Sequence, residues 1–195
     1  MKRGASELYV LEADQVRALL QEAQGVEDRL ILQLMLYVGL RVSEVAHLNN
    51  SWVKGDEIRI PLSQTCDCIN CKSGEWKAKS KASNRVIPVP VSIMRDLTEY
   101  LRQSPRGFTL TRQALWWKIK QMSKRANIRV RGLSSDTIYP HVLRATCATI
   151  LASKGMSVAA LCYVMGWQSI EVGQHYISIA KAKQDAQEQF RKIMH

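Results

Sequence analysis

The apolar residues of the chain recur mostly at helical spacing. Up to about Leu48 they fall every three or four positions and predict three helices, the second with a crowded face typical of a buried core helix. Gly25 ends the first helix, Asp28 is placed to cap the second, and Gly39 ends that one. The three helices are expected at 12–24, 28–39 and about 42–48.

Short stretches of alternating apolar and polar residues replace the helical spacing after Trp52. They predict a small sheet of three strands, with Pro88 on an edge strand because proline cannot donate a ladder hydrogen bond. The strands are expected at 57–61, 75–78 and 85–89. A cysteine-containing insertion, 62–76, interrupts them.

Helical spacing returns after residue 90 and continues to the end of the chain. The helices are expected at 92–103, 111–127, 140–154, 158–165, 170–176 and 180–194, the last of which makes up a C-terminal segment, 180–195. No repeat or low-complexity tract interrupts the pattern. The sequence therefore predicts one domain over 1–195, mainly α with a small antiparallel β-sheet, an α+β fold.

The composition indicates a folded domain with a polyanionic partner. The 195 residues are 46% hydrophobic, and 28 Lys and Arg against 17 Asp and Glu give a net charge of +11. Such a surplus favours phosphate-bearing partners, because each neutralised phosphate releases a counterion, although simple solubility is the alternative. The longest apolar stretch, 30–40, is shorter than the roughly 20 residues that cross a bilayer, and no secretory signal is present. We therefore expect a cytoplasmic protein without a membrane partner.

Two of four candidate motifs are basic. The first, G-L-R-V-S-E at 39–44, places Arg41 at a helix start, where free N–H groups attract anions and a guanidinium can bind phosphate oxygens. A surface ion pair between Arg41 and Glu44 is the alternative. The second motif is a polar turn before R-V-I-P whose lysines can reach a phosphate or a leaving oxygen, or can simply be solvated: Lys77, Lys79 and Lys81.

The other two motifs contain a histidine, a second arginine and a tyrosine. In P-H-V-L-R at 140–144, His141 and Arg144 lie three apart near a helix start and share a face, which suits phosphoryl transfer better than metal binding. A capping histidine with a surface arginine is the alternative. Tyr176 follows Trp167 by nine residues across a helix break, and alone it indicates ordinary packing.

In combination, the four motifs resemble the catalytic domain of the tyrosine recombinases, the phage integrase family related to type IB topoisomerases. The boxes follow in family order: G-L-R-x-S-E at 39–44, a basic β-turn before R-x-I-P at 79–88, H-x-x-R at 141–144, and G-W at 166–167 with a tyrosine nine residues later. The match covers about 8–178. It implies that family's fold and its site-specific DNA strand exchange, with no ATP or catalytic metal required.

The resemblance also implies a role for each matched residue. Tyr176 would attack the DNA phosphate to form a 3′-phosphotyrosyl link, while Arg41 and Arg144 would hold the non-bridging oxygens. Lys79 would be the general acid, with Lys81 as the second candidate, and His141 would assist proton transfer. Trp167 would donate a hydrogen bond at a position where many relatives carry His. Glu44 would support the arginine box. Ala145 departs from the family, since relatives often carry a second His there.

The same resemblance implies partners and a biological setting. We expect double-stranded DNA with attachment sites as the substrate. Without DNA the protein is expected to be mostly a monomer, and on synapsed DNA a homotetramer. The C-terminal helix is expected to dock on a neighbouring protomer, and docking on its own domain is the alternative. We also expect the helical N-terminal core-binding domain of the family to be absent from this chain, which makes a fragment of a longer, nucleoid-associated protein of the host cell the expectation and an unusually short enzyme the alternative. The predicted function is integration or excision of a virus or mobile element. The alternatives are a chromosome-dimer-resolving recombinase and a non-catalytic DNA-binding module.

Cys66, Cys68 and Cys71 form a C-x-C-x-x-C segment in the insertion. Three thiolates this close in sequence can face one centre and select zinc in a reducing cell, so a structural zinc site is one interpretation and three unliganded thiols are the other. A zinc site usually has four protein ligands. The fourth stays open: His47 is the nearest upstream histidine and Asp67 can supply an oxygen, whereas Cys147 and Cys162 fall on predicted core helices.

Overall fold

The protein is mainly helical with two small antiparallel sheets. The computed structural model describes residues 9–69, 71, 73–130 and 138–194. In this part of the chain the helices are α1 Ala13–Gln21, α2 Val26–Leu36, α3 Val42–His47, α4 Val91–Gln103, α5 Arg112–Arg125, α6 Pro140–Ser153, α7 Val158–Met165 and α8 Ile170–Met194. The strands are β1 Val53–Lys54, β2 Glu57–Ile60, β3 Ser63–Thr65, β4 Glu75–Lys77 and β5 Arg85–Pro88.

Helix α2 lies at the centre of the hydrophobic core. Its apolar residues are buried almost all round, and the helix contacts α3, α4, α5 and α6. A helix without a polar face is stable only when neighbours cover every side, which is the arrangement predicted from its crowded apolar positions. Among the described residues, no helix combines the length and the apolar character needed to span a membrane. Residues 1–8, where the sequence predicts no secretory signal, lie outside the described residues.

Several of the predicted helix boundaries were wrong: α1 ends at Gln21 and α2 at Leu36, each before the glycine that was expected to end it. Gly25, and not Asp28, occupies the N-cap of α2, and the Asp28 carboxylate in the first turn accepts a hydrogen bond from the backbone N–H of Gln24 at 3.3 Å. The helices predicted at 170–176 and 180–194 are one continuous helix, α8. Because residues 177–179 contain neither glycine nor proline, nothing in the sequence between them breaks the helix.

The three-stranded sheet has a different membership from the one predicted. Its order is β1–β2–β5, antiparallel throughout, and Pro88 lies on the edge strand β5 opposite Glu57, as expected. The strand predicted at 75–78 lies in a separate two-stranded sheet, where β4 pairs with β3. The third strand of the sheet is β1, which pairs with β2 on the side opposite β5. It is only two residues long and therefore gives no alternating pattern to recognise.

The β3–β4 hairpin carries the cysteine segment at its tip and packs on the end of α3. The Trp76 ring of β4 lies 5.5 Å from the His47 ring and 5.1 Å from the Trp52 ring, measured between centroids. Lys79 lies beyond this hairpin, between β4 and β5, which belong to different sheets. The basic turn predicted before R-V-I-P is therefore not the tip of a hairpin: the segment connects the two sheets and contains a 3-10 turn at Lys81–Ser83.

Candidate active site

Residues from all four motifs line one cleft of about 870 Å³. The cleft lies where the α2–α3 junction, the crossover after β4, the start of α6 and the α7–α8 junction meet. The candidate site residues that line it are Arg41, Lys77, Lys79, His141, Arg144 and Trp167. The structure therefore brings together side chains that are up to 126 positions apart in the sequence.

Arg41 occupies the N-cap of α3, and three groups fix its guanidinium. It donates to Glu44 Oε1 at 2.8 Å, to the Ser83 hydroxyl at 3.1 Å and to the Gly166 carbonyl at 2.6 Å. The Glu44 carboxylate also accepts from the Arg41 backbone N–H at 2.8 Å. Arg41 and Glu44 are thus paired, but as part of a partly buried network and not as the surface ion pair that was the alternative.

Arg85 completes this network and was missed as a site residue. Its buried guanidinium donates to both Glu44 carboxylate oxygens at 3.0 Å, and its Nε donates to the Val164 carbonyl at 2.7 Å. The signal was available in R-V-I-P, because alternation along β5 places Arg85 on the same face as the buried Ile87. An inward-facing arginine needs a carboxylate partner, and Glu44 is that partner.

The charges around Glu44 decide its ionisation. Burial opposes ionisation, but the hydrogen bond and charge of Arg85, followed by the charges of Arg144 and Arg41, outweigh burial and lower the pKa of Glu44 from 4.5 to about 2. A carboxylate whose pKa is lowered by folding stabilises the folded state at pH values above the pKa that it has in the unfolded chain. That stabilisation is lost progressively as the pH falls from about 4.5 to about 2.

Glu44→Gln is therefore expected to destabilise the domain at pH 7 by about 3–5 kcal/mol, because it leaves buried arginine charges uncompensated. Urea unfolding at pH 7 and at points between pH 4.5 and 2 measures this. The gap in unfolding free energy between the two proteins should narrow as the pH falls, since protonated Glu44 resembles Gln. Glu188→Gln, which removes an exposed partner of Lys192, is the matched control and should change little. A gap that stays constant down to pH 2 would contradict the role of Glu44.

Gly166 lies against the arginine network in a left-handed conformation, with φ of 57°. A Cβ at this position would lie 2.9 Å from an Arg85 guanidinium nitrogen and 3.2 Å from one of Arg41. Any larger residue would therefore be strained and would push both arginines away. The glycine of the G-W pair is required by this close approach, and its carbonyl holds Arg41.

Arg144 is buried at the back of the cleft. Its guanidinium donates to the carbonyl of Gly39, in the segment between α2 and α3, and to the carbonyl of Met165, the last residue of α7. Burial, and then the charge of Arg41, lower the pKa of Arg144 to about 9, so the group remains charged at neutral pH. Two backbone carbonyls thus fix a cation that contributes to the cleft surface, and the alternative of a surface arginine was wrong.

His141 lies near the start of α6 with an exposed side chain. Partial desolvation, and then the charges of Arg144, Lys79 and Arg41, lower the pKa of His141 below its ordinary value of 6.5. A lowered pKa leaves the imidazole neutral at neutral pH. In that form one ring nitrogen can accept a proton.

Tyr176 lies on α8 beside the cleft. Its ring is 5% exposed and stacks on the Trp167 ring, with centroids 5.1 Å apart and planes at 13°. Trp167 lines the cleft, whereas Tyr176 is not among the described residues that line it. The structure therefore places the tyrosine in contact with a cleft residue, with its ring covered.

The lysines of the basic motif differ in position. Lys77 and Lys79 line the cleft, and Lys77 also pairs with Glu75 at 3.1 Å. Lys81 lies on the 3-10 turn and is not among the described residues that line the cleft.

A second group of chemically active residues borders the cleft, and two of its members, His47 and Cys71, line it. His47, Cys66, Cys68 and Cys71 present ligand atoms that all lie within 4.8 Å of one another. Asp67 points elsewhere, since its side chain is 91% exposed and lies 3.8 Å from Arg106. Of the open candidates for a fourth ligand, the structure brings His47 to the three cysteines.

Comparison with known proteins identifies relatives over most of the chain. The sequence profile of the phage integrase family matches residues 9–183. The tyrosine recombinase XerD of Staphylococcus aureus strain Mu50 is 32% identical over 191 residues, which cover 89% of this chain and 59% of that protein. The tyrosine recombinase XerD of Staphylococcus epidermidis is 28% identical over 196 residues, which also cover 89% of this chain and 59% of that protein. The chain thus spans 59% of the length of these relatives.

Solved structures with the same architecture include two integrases. The catalytic domain of bacteriophage HP1 integrase is 24% identical with a TM-score of 0.63, covering 94% of this chain and 95% of that one. The Tn1549 transposon integrase in complex with a circular intermediate DNA is 20% identical with a TM-score of 0.69, covering 92% of this chain and 66% of that one. At these identities the likeness shows a shared fold.

Proposed function

The chain belongs to the phage integrase family and has the fold of a tyrosine recombinase catalytic domain, and from this premise we propose that its protein exchanges DNA strands at specific sites through a 3′-phosphotyrosyl intermediate. One observation supports the proposal most: a single cleft is lined by Arg41, Lys79, His141, Arg144 and Trp167, with Tyr176 stacked on the last of these. A non-catalytic DNA-binding module would have no chemical need for such a set in one place.

The chemistry divides into two transfers of one phosphoryl group. The Tyr176 oxygen bonds to the scissile phosphorus, its proton passes to neutral His141, and the bond from phosphorus to the 5′-oxygen breaks as Lys79 protonates that oxygen. The 5′-hydroxyl of another strand then attacks the phosphotyrosine and restores the tyrosine. Because each step exchanges one phosphoester bond for another, no ATP is consumed.

Arg41 and Arg144 would stabilise the charge that builds up on the non-bridging oxygens. Both guanidiniums are held by backbone carbonyls, and Arg41 is also held by Glu44, so little reorganisation is needed as the transition state forms. Trp167 has an indole N–H that donates but cannot act as a base.

The cover of Tyr176 bears on how the attack begins. In this structure its ring is 5% exposed and stacks on the Trp167 ring. We propose that bound DNA favours the uncovered arrangement, which would keep the nucleophile protected from reaction in the free protein.

Double-stranded DNA carrying attachment sites is the proposed substrate, consistent with the net charge of +11. The likeness in fold to a bacteriophage and a transposon integrase supports integration or excision of a virus or mobile element. Chromosome-dimer resolution uses the same chemistry and is the second candidate, which the sequence likeness to XerD recombinases favours. In either case we propose that the protein acts in the cytoplasm at the nucleoid.

The C-terminal half of α8 is the proposed contact between protomers. The start of this half contacts its own domain, where Lys183 pairs with Glu12 and Gln184 donates to the Ser153 carbonyl. Phe190 and Ile193 are 64% and 80% exposed near the end of the helix. An exposed apolar end supports docking on a neighbouring protomer, and we propose mostly monomers without DNA and a homotetramer on synapsed DNA.

The experiment that tests the proposed function is covalent trapping. DNA linked to the protein in cells that contain it is sequenced to find the target site, and a nicked suicide substrate is then built on that site. We expect a protein–DNA adduct that survives denaturation and is removed by protease. DNA binding with no adduct on any recovered site would contradict catalysis and favour the non-catalytic module.

The general acid is tested by changing the leaving group. Lys79→Ala should slow cleavage of normal DNA strongly and should recover on a 5′-bridging phosphorothiolate, because sulfur leaves without needing a proton. Lys81→Ala and Lys77→Ala are the matched controls, and neither should show selective recovery. Recovery of Lys81→Ala instead would assign the general acid to Lys81.

A further inference from the structure

Four metal-ligating side chains from two separate elements meet beside the cleft. His47 comes from the last turn of α3, and the three cysteines come from the tip of the β3–β4 hairpin. We propose that His47, Cys66, Cys68 and Cys71 form a structural zinc site that fastens the hairpin to α3. This site is separate from the phosphoryl-transfer chemistry and does not rest on the proposed function.

The distances fit tetrahedral zinc. With Zn–S near 2.3 Å and Zn–N near 2.0–2.1 Å, a tetrahedral ion holds sulfur and nitrogen ligands about 3.6 Å apart. The Sγ atoms of Cys71 and Cys68 lie 3.3 and 3.5 Å from His47 Nε2. The four ligand atoms, all within 4.8 Å of one another, need only small shifts to coordinate one ion.

The histidine is prepared to bind through the nitrogen that faces the thiols. His47 Nδ1 lies 2.7 Å from the Ser43 carbonyl, an acceptor, so Nδ1 carries the proton and Nε2 presents its lone pair to the cysteines. A hydrogen bond from the second ring nitrogen to a carbonyl is the usual support of a zinc-bound histidine. Stacking on Trp76 further fixes the ring plane.

The backbone of the hairpin tip is folded so that the cysteines face one point. The Cys66 N–H donates to the Gly74 carbonyl, the Cys71 N–H to the Cys68 carbonyl, and the Gly74 N–H to the Cys71 carbonyl, each at 2.9 Å. Ile69, between the cysteines, is 82% exposed. A compact loop with its thiols inward and an apolar side chain in solvent is difficult to explain by hydrophobic burial.

The ligand set selects a structural role. Three thiolates and one imidazole are soft ligands that favour zinc over magnesium or calcium, and four protein ligands leave no open position for a substrate or water. Of the remaining cysteines, Cys147 lies in the core, where burial raises the pKa of its thiol to about 12, and Cys162 lies on α7 outside the cluster.

The site would join two parts of the catalytic cleft. Helix α3 begins beside Arg41, and β4 leads directly to the segment that carries Lys79. The β3–β4 pair has only three residues per strand, and such a short hairpin is marginally stable alone. Zinc would therefore set the position of the Lys79 segment relative to Arg41, and Cys71 itself lines the cleft.

Metal analysis of the full chain, purified without chelator, tests the site directly. We expect stoichiometric zinc in the wild type and in Cys162→Ser, the matched control with a thiol outside the cluster. Cys68→Ser and His47→Ala should lose at least tenfold in zinc affinity. Zinc well below stoichiometry in a folded wild type, with all three thiols open to rapid alkylation, would overturn the proposal. If His47→Ala bound zinc as tightly as the wild type, the assignment of His47 as the fourth ligand would be overturned.

A second measurement covers the case in which these variants do not fold. Zinc in the wild-type protein is replaced by Co²⁺, whose absorption reports both tetrahedral geometry and bonds to thiolate. We expect intense visible bands with a thiolate-to-metal charge-transfer band, and a lower melting temperature after chelation that added zinc restores. Octahedral cobalt bands, or a melting temperature unaffected by chelation, would contradict a structural zinc site.

Discussion

Tyr176→Phe is expected to abolish formation of the covalent protein–DNA adduct. The substitution removes one oxygen and no charge, and the ring can keep its stack on Trp167, so the fold and DNA affinity should stay nearly unchanged. A nicked suicide substrate, with adduct measured on a denaturing gel and binding measured by mobility shift, separates the two effects. Loss of the adduct with binding intact is the expected pair of results.

The matched control for Tyr176→Phe is Tyr163→Phe. Tyr163 lies on α7 with an exposed side chain, and its hydroxyl accepts a hydrogen bond from the Val86 N–H at 3.2 Å. This variant should form the adduct at close to the wild-type rate. An adduct that persisted in Tyr176→Phe and disappeared in Tyr163→Phe would assign the nucleophile to Tyr163.

Arg144→Ala and Arg41→Ala are each expected to lower the cleavage rate by about a hundredfold or more. Each substitution removes a preorganised cation from the phosphate, and removal of one such donor typically costs that much in rate. Single-turnover cleavage at saturating protein measures the effect apart from DNA affinity. A loss below tenfold would count against the assigned role.

These arginine variants need two controls. Arg95→Ala removes an exposed arginine from α4 that pairs with Asp96, and it should leave the cleavage rate nearly unchanged. Arg144 is buried, so the melting temperature of each variant shows whether the lost rate reflects chemistry or unfolding. Arg41→Lys keeps the charge but cannot reproduce the bonds to both Glu44 and Gly166, and its rate should lie between those of Arg41→Ala and the wild type.

Local sequence patterns predicted the helices well and the sheets less well. Helix α7 was predicted at 158–165 and is found at Val158–Met165, because a helix is specified by neighbours three and four positions apart. Strand pairing depends on distant residues. The pairings of β4 with β3 and of β1 with β2 involve strands of only two or three residues, which are too short to show an alternating pattern.

The motifs gave a set of candidate site residues but not how those residues are held. Of that set, Arg41, Lys79, His141, Arg144 and Trp167 line the cleft, whereas Tyr176 is not among the described residues that line it. The buried Arg85–Glu44 ion pair, the covered Tyr176 ring and the approach of His47 to the cysteines all depend on tertiary contacts between distant segments. Spacing along the chain gives no distance for such contacts, so the sequence left them open.

Peptide mapping of the wild-type protein–DNA adduct tests the central claim most directly. After proteolysis and nuclease digestion, mass spectrometry identifies the residue that carries the nucleotide, and end labelling shows which DNA end is attached. We expect the phosphate on Tyr176, linked to a 3′ end, with a free 5′-hydroxyl on the other side of the break. A nucleotide on His175 or Tyr163, or a link to a 5′ end, would contradict the account.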